Sequence, residues 1–87
     1  MEYGKENLLP RVTAVTPKDN FQLQLTFTSG EVKQFDVRPY LEIPVYKSLI
    51  NTFALAQVNF GTVIWPGDID ISPETLYLKS IPTEFVS

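Results

Sequence analysis

The clearest periodicity in the chain runs from Phe21 to Thr28, where Phe21, Leu23, Leu25 and Phe27 alternate with Gln22, Gln24, Thr26 and Thr28. A two-residue period is that of a strand with one face on a core and one in water. Arg11 to Val15 forms a shorter alternating run, and the turn formers Pro17-Lys18-Asp19-Asn20 separate it from the second. Ser29-Gly30 then turns the chain into a third strand, Glu31 to Val37. Two registers fit this hairpin. A strict two-residue loop pairs Phe27 with Val32 and sends Phe35 and Val37 to the other face, whereas a loop one residue longer sets Leu23 opposite Phe35 and Phe21 opposite Val37. A bulge beside Gly30 reconciles them.

From Arg38 the rhythm changes. Pro39 and Pro44 break any long element, and from Tyr46 onward the apolar residues recur at spacings of three and four. This predicts short helical turns over Lys47–Ile50 and Asn51–Ala56 that cover one face of the sheet, with Asn51 as N-cap of the second. Gln57–Phe60 and Thr62–Trp65 resume β character around Gly61, as a tight hairpin or as one strand with a glycine bulge. Ser72-Pro73-Glu74 opens a further helix: Ser72 as N-cap, Pro73 where a missing N–H costs nothing, and Glu74 at the positive end of the dipole. The expectation is a single α+β domain over residues 8–80, with a mainly antiparallel sheet of three to five strands and two or three short helices on one face. Its core should hold Phe21, Leu23, Leu25, Phe27, Phe35, Val63 and Trp65. Residues 1–7 and 81–87, where Pro82 interrupts a stretch without period, are expected to form flexible tails.

Composition adds mainly exclusions. Eighty-seven residues bury only about 60–65% of their unfolded surface, so each large apolar side chain matters. A hydrophobic content of 44% with six Phe, four Tyr and one Trp suffices for a core. With neither His nor Cys, the chain lacks the parts of a Ser-His-Asp triad, a Cys-His dyad, an all-His/Cys zinc site or a disulfide. This argues against an enzyme. A net charge of −3, with the seven bases spread singly, opposes a phosphate-binding surface. No run approaches the roughly 18 apolar residues of a membrane span, and MEYGKENLLP has no signal-peptide pattern, so a cytoplasmic location is expected.

Candidate chemistry is sparse. Asp68, Asp70 and Glu74 crowd carboxylates that a hard cation would favour, but the spacing lacks the Gly and distal Glu of a calcium loop. Turn and helix-start roles explain them better, and no metal or cofactor is expected. Trp65 and Tyr77 could stack a base or sugar, although an aromatic of that size at a strand end reads first as core. Arg38 has Asp36 and Glu42 within reach for an ion pair. Tyr40 and Tyr46, interleaved with Pro39 and Pro44, form the type of cluster enriched at interfaces, with core cover as the competing role.

The segment GTVIWPGDIDISPETLY, with the upstream blocks LPRVTAVTP, LTFTSGEVKQFDVRPYL and FALAQV, resembles the bacterial Domain of Unknown Function 2442 family over Leu9 to Leu78. The motif residues carried over are Trp65, Pro66, Asp70, Ser72, Pro73, Glu74 and Tyr77; Gly67-Asp68 stands where the family more often has a residue followed by Gly. The resemblance implies a small α+β fold without established activity, often encoded beside a small toxin-like protein. The expected function is therefore a protein-interaction module, antitoxin-like or regulatory, with Arg38, Pro39, Tyr40, Pro44 and Tyr46 as partner surface. The alternative is a nucleic-acid-binding accessory domain that meets nucleic acid only indirectly. Homo-oligomerisation stays open, and no membrane partner is expected.

Overall fold

The computed structural model describes residues 9–83. Three strands come first: β1 (Val12–Lys18), β2 (Gln22–Phe27) and β3 (Val32–Asp36). A run of 3₁₀ turns and a short helix α1 (Leu49–Thr52) leads to β4 (Gln57–Asn59), β5 (Thr62–Trp65) and β6 (Ile69–Ile71). Helix α2 (Pro73–Lys79) and β7 (Ile81–Pro82) complete the order. The fold is α+β, but its strands divide between two antiparallel sheets, β1-β2-β3-β7 and β4-β5-β6. Among the described residues no helix is long and apolar enough to cross a membrane.

The β2–β3 hairpin takes the longer loop. Gly30 N donates to Phe27 O at 2.8 Å and Phe27 N to Glu31 O at 2.9 Å, with Gly30 at φ 90°. This is a three-residue loop whose last member is left-handed, so the bulge falls beside Gly30. Leu23 then faces Phe35, and Val37 N reaches Phe21 O at 2.9 Å. A second irregularity lies between Val12 and Ala14 in β1. It lets Val12 and Val15, three residues apart, both turn inward, opposite Phe27 and Leu25. Beyond Val15 the strand continues to Lys18, with Pro17 tolerated because β1 is an edge.

Around Gly61 the chain makes a true hairpin. Phe60 and Gly61 lie at φ 54° and 78°, both positive as the two-residue turn with matching twist demands. Strand β6 was not expected; Pro66-Gly67-Asp68 folds it back on β5, setting Trp65 opposite Ile69. Helix α2 starts as anticipated, with Ser72 Oγ accepting from Thr75 N at 3.2 Å and Pro73 in the first turn.

Three expectations need correction. Phe21 is only half-buried: Asn20 and Phe21 adopt φ 62° and 59° in a turn before β2, and the Phe21 ring meets Phe53 edge-on at 5.2 Å. Asn51 lies inside α1 instead of capping a later helix, because Leu49 and Phe53, one turn apart, are buried together and draw the helix start forward. Residues 81–83 do not leave the domain. Gln34 pairs with Ile81 and Lys33 with Pro82, while Thr83 Oγ1 donates to Val32 O at 3.1 Å. The remaining tail expectations, residues 1–7 and 84–87, fall outside the described residues, as does Leu8.

The core unites both sheets. Leu23, Leu25, Phe27, Phe35, Val63 and Trp65 are buried as expected, joined by Val12, Val37, Leu49, Phe53, Ile71 and Leu76. Helix α2 packs against both β3 and β5 with Leu76 fully buried, so it bridges the two sheets.

Candidate functional site

The segment after β3 is shaped by one carboxylate and two prolines. Asp36 Oδ1 accepts from Arg38 N at 2.9 Å and from Arg38 Nε at 3.0 Å, while Oδ2 accepts from Nη2 at 2.8 Å. Asp36, two residues before Arg38, thus receives its backbone and its guanidinium together. The Arg38 hydrogen bonds hold the Asp36 carboxyl below its ordinary value, and Asp36 in turn raises Arg38. Of the two acids within reach, Asp36 is the ion-pair partner. Pro39 and Pro44 each stand in the first turn of a 3₁₀ segment, where the fixed φ of proline fits.

These turns place the two tyrosines as struts. The Tyr40 ring packs on Phe35 at 5.5 Å between centroids and meets the Tyr46 ring edge-on at 5.8 Å. Tyr46 Oη donates to Asp70 O at 3.0 Å, which ties the segment to β6. Burial, then the charge of Asp70, raises the Tyr46 phenol. Both rings are half-buried and engaged internally, so the apolar surface is made by their neighbours. Ile43, Val45 (60 % exposed) and Ile50 (57 % exposed) face solvent, as do Arg38, Pro39 and Pro44. Beside them opens a groove of ≈ 380 Å³, lined by Phe35, Asp36, Pro39, Tyr40, Ile43 and Lys79. The exposure of Ile43, Val45 and Ile50 was not anticipated; Pro39 and Pro44, which stop the chain from burying this run in one helix, were the available signal.

The second half of the anticipated residues is structural. Trp65 is 2 % exposed, its Nε1 donating to Phe53 O at 3.0 Å and its ring stacked on Phe53. It offers no face to a base. Tyr77 packs edge-on against Phe27 at 5.1 Å and donates through Oη to Glu31 Oε1 at 2.8 Å. Hydrogen bonds from Ser29 and Tyr77 lower Glu31, and the same Glu31 bond raises Tyr77. Pro66 sits exposed in the β5–β6 loop, Glu74 in the first turn of α2, and Asp70 contributes the backbone oxygen that Tyr46 holds. Among the described residues no three His, Cys, Asp or Glu side chains gather where a cation could bind them.

Lys33 is the residue that sequence reasoning missed. It occupies an inward position of β3, only 9 % exposed, with Nζ 2.8 Å from Tyr77 O and 4.0 Å from the Tyr77 ring centroid. There it places a cation at the C-terminal end of α2, where the helix dipole favours it. Its phase with Phe35 and Val37 was the signal.

Three of the four edge strands, β1, β6 and β7, offer little to an incoming strand. Edge β1 carries a bulge and Pro17, with Val12 N already donating to Gly61 O at 3.0 Å; β6 has the Tyr46 hydroxyl on Asp70 O; β7 is two residues long and includes Pro82. Bulges, prolines and covered carbonyls are the devices by which edges avoid strand addition.

A family model described as "Protein of unknown function (DUF2442)" matches residues 12–82. The chain belongs to the DUF2442 family. The matched DUF2442 span begins with the first residue of β1 and ends with the last of β7, so the family unit contains both sheets and both helices. No curated protein and no solved structure matches the chain.

Proposed function

We propose that this DUF2442 chain is a protein-interaction module acting in the cytoplasm, antitoxin-like or regulatory towards a small toxin-like protein, with no catalytic step of its own. The observation that carries this reading is the exposed apolar run Ile43, Pro44, Val45 and Ile50 beside an aromatic-floored groove, on a segment fixed from behind by Tyr40 and Tyr46. Apolar side chains held in solvent on a braced backbone are what a partner surface needs. The protected edges of β1, β6 and β7 favour recognition by side chains over strand pairing there. An excess of three negative charges suits a basic partner, since complementary charge speeds encounter while a buried apolar anchor supplies affinity.

The test is calorimetric titration against the product of the gene adjacent to its own. The parent chain should bind, and a Val45→Lys/Ile50→Lys variant of unchanged melting temperature should bind about tenfold or more weakly. Equal binding by the two would reject the surface. Salt-sensitive binding of duplex DNA by the pure chain would replace the reading with a nucleic-acid one.

A further inference from the structure

The tip of the β4–β5 hairpin and the groove beside β3 are two features that internal packing does not use. Phe60 is 88 % exposed yet held at φ 54°, where an L side chain crowds its own backbone and Asn or Gly is the ordinary occupant. The turn is braced. Val12 N donates to Gly61 O at 3.0 Å, and Arg11 lies so close over Gly61 that a Cβ there would meet Arg11 Cδ at 2.8 Å. A large ring is thus mounted in solvent on a fixed turn, next to an exposed arginine.

The groove has the complementary character. At ≈ 380 Å³ it lies near the lower end of the roughly 300–1,000 Å³ of ligand pockets, a size for one large side chain more than for an extended peptide. Phe35, Pro39, Tyr40 and Ile43 give it apolar walls, with the Asp36 carboxylate and the Lys79 ammonium also lining it. Tip and groove lie at opposite ends of β3. Thr28 N donates to Arg11 O at 2.8 Å, which sets the tip beside the loop that opens β3, whereas the groove residues Phe35 and Asp36 close that strand.

We propose that Phe60 of one copy seats in the Pro39–Tyr40–Ile43 groove of a second copy, in a two-fold dimer whose chains lie antiparallel and make this contact twice. A knob at one end and a hole at the other meet reciprocally in that arrangement, so the assembly closes instead of growing into a filament. Asp36 is already neutralised by Arg38, so the seat is apolar, and Lys79 in the groove wall supplies a cation to the ring face. The net charge of −3 on each copy repels at long range, so the relevant condition is near-physiological salt, where screening acts beyond about 8 Å.

Sedimentation velocity of the pure chain from about 10 µM to about 1 mM, the range of a weak association, tests this. The parent should shift toward dimer as concentration rises. Phe60→Asn, which suits the turn better than Phe, and Ile43→Glu, at a partly exposed groove position, should each weaken dimerisation about tenfold or more with no loss of melting temperature. Mixing the two variants should recover part of the association, because one intact ring then meets one intact groove. A parent that stays monomeric throughout overturns the proposal. So does a dimer that both variants leave intact, or a mixture no more associated than either variant alone. Because only the pure chain is used, failure here leaves the foreign-partner reading untouched, and the reverse also holds.

Discussion

Replacing Phe60 by Asn should make the domain more stable, although it deletes an aromatic ring. At 88 % exposure the ring hides only about an eighth of the roughly 200 Å² that a phenylalanine can bury, so its loss forfeits about 0.6 kcal/mol at 25 cal/mol per Å². Against this stands the left-handed backbone at φ 54°, which costs an ordinary L-residue about 1–2 kcal/mol and Asn much less. The balance is a gain of about 0.4–1.4 kcal/mol. For a domain of this length that raises the melting temperature by about 2–10 °C. Differential scanning calorimetry at low concentration, where association does not contribute, is the assay. An unchanged or lower melting temperature would show that Phe60 makes packing contacts that its exposure denies, and would refute both the strain argument and the view of the ring as free for a partner.

Other substitutions probe the frame that carries this surface. Leu25→Ala, at a fully buried position of the central strand, should cost about 2–5 kcal/mol and leave a largely unfolded chain; melting within a few degrees of the parent would remove β2 from the core. Ser72→Ala removes the Oγ that accepts from Thr75 N and should cost about 0.5–2 kcal/mol by thermal or urea unfolding, while millimolar Mg²⁺ should not alter the melting temperature of the parent. Glu31 lies below its ordinary value of 4.5 through its hydrogen bonds from Ser29 and Tyr77. With the folded-state value depressed, the contribution is present in full above the unfolded value and is lost as pH falls through the folded one. Glu31→Gln should therefore flatten the fall of melting temperature with pH below 4.5, and a profile as steep as the parent's would count against the Glu31–Tyr77 contact.

The legible parts of the fold were those that local chemistry fixes. The β2 alternation located Leu23, Leu25 and Phe27, and Ser72-Pro73-Glu74 located the start of α2, because period and capping need no distant partner. Less legible were features set by tertiary contact. Phe21 continued the alternation by sequence, yet the left-handed turn at Asn20 and Phe21 lifts it out of the strand. Ile81 and Pro82 carried no period because a two-residue strand has none to show, and only its pairing with Lys33 and Gln34 defines it. The exposed apolar side chains after β3 lie on the segment that the tyrosines marked, but they are not the tyrosines. Tyr40 and Tyr46 drew attention as aromatics, but their rings turn inward on Phe35 and toward Asp70, leaving Ile43, Val45 and Ile50 outside. Two sheets in place of one arise because the β4–β5 hairpin pairs with β6 and not with β1, β2 or β3, a choice of distant partner that no local period shows.

The most direct measurement is a two-dimensional ¹⁵N–¹H spectrum of the labelled chain, titrated with the unlabelled product of the adjacent gene. Amide shifts should concentrate from Arg38 to Ile50 and at Lys79, with β1 and the outward positions of β2 little changed. Shifts centred on those strands, or a spectrum unaltered at saturating partner, would contradict it.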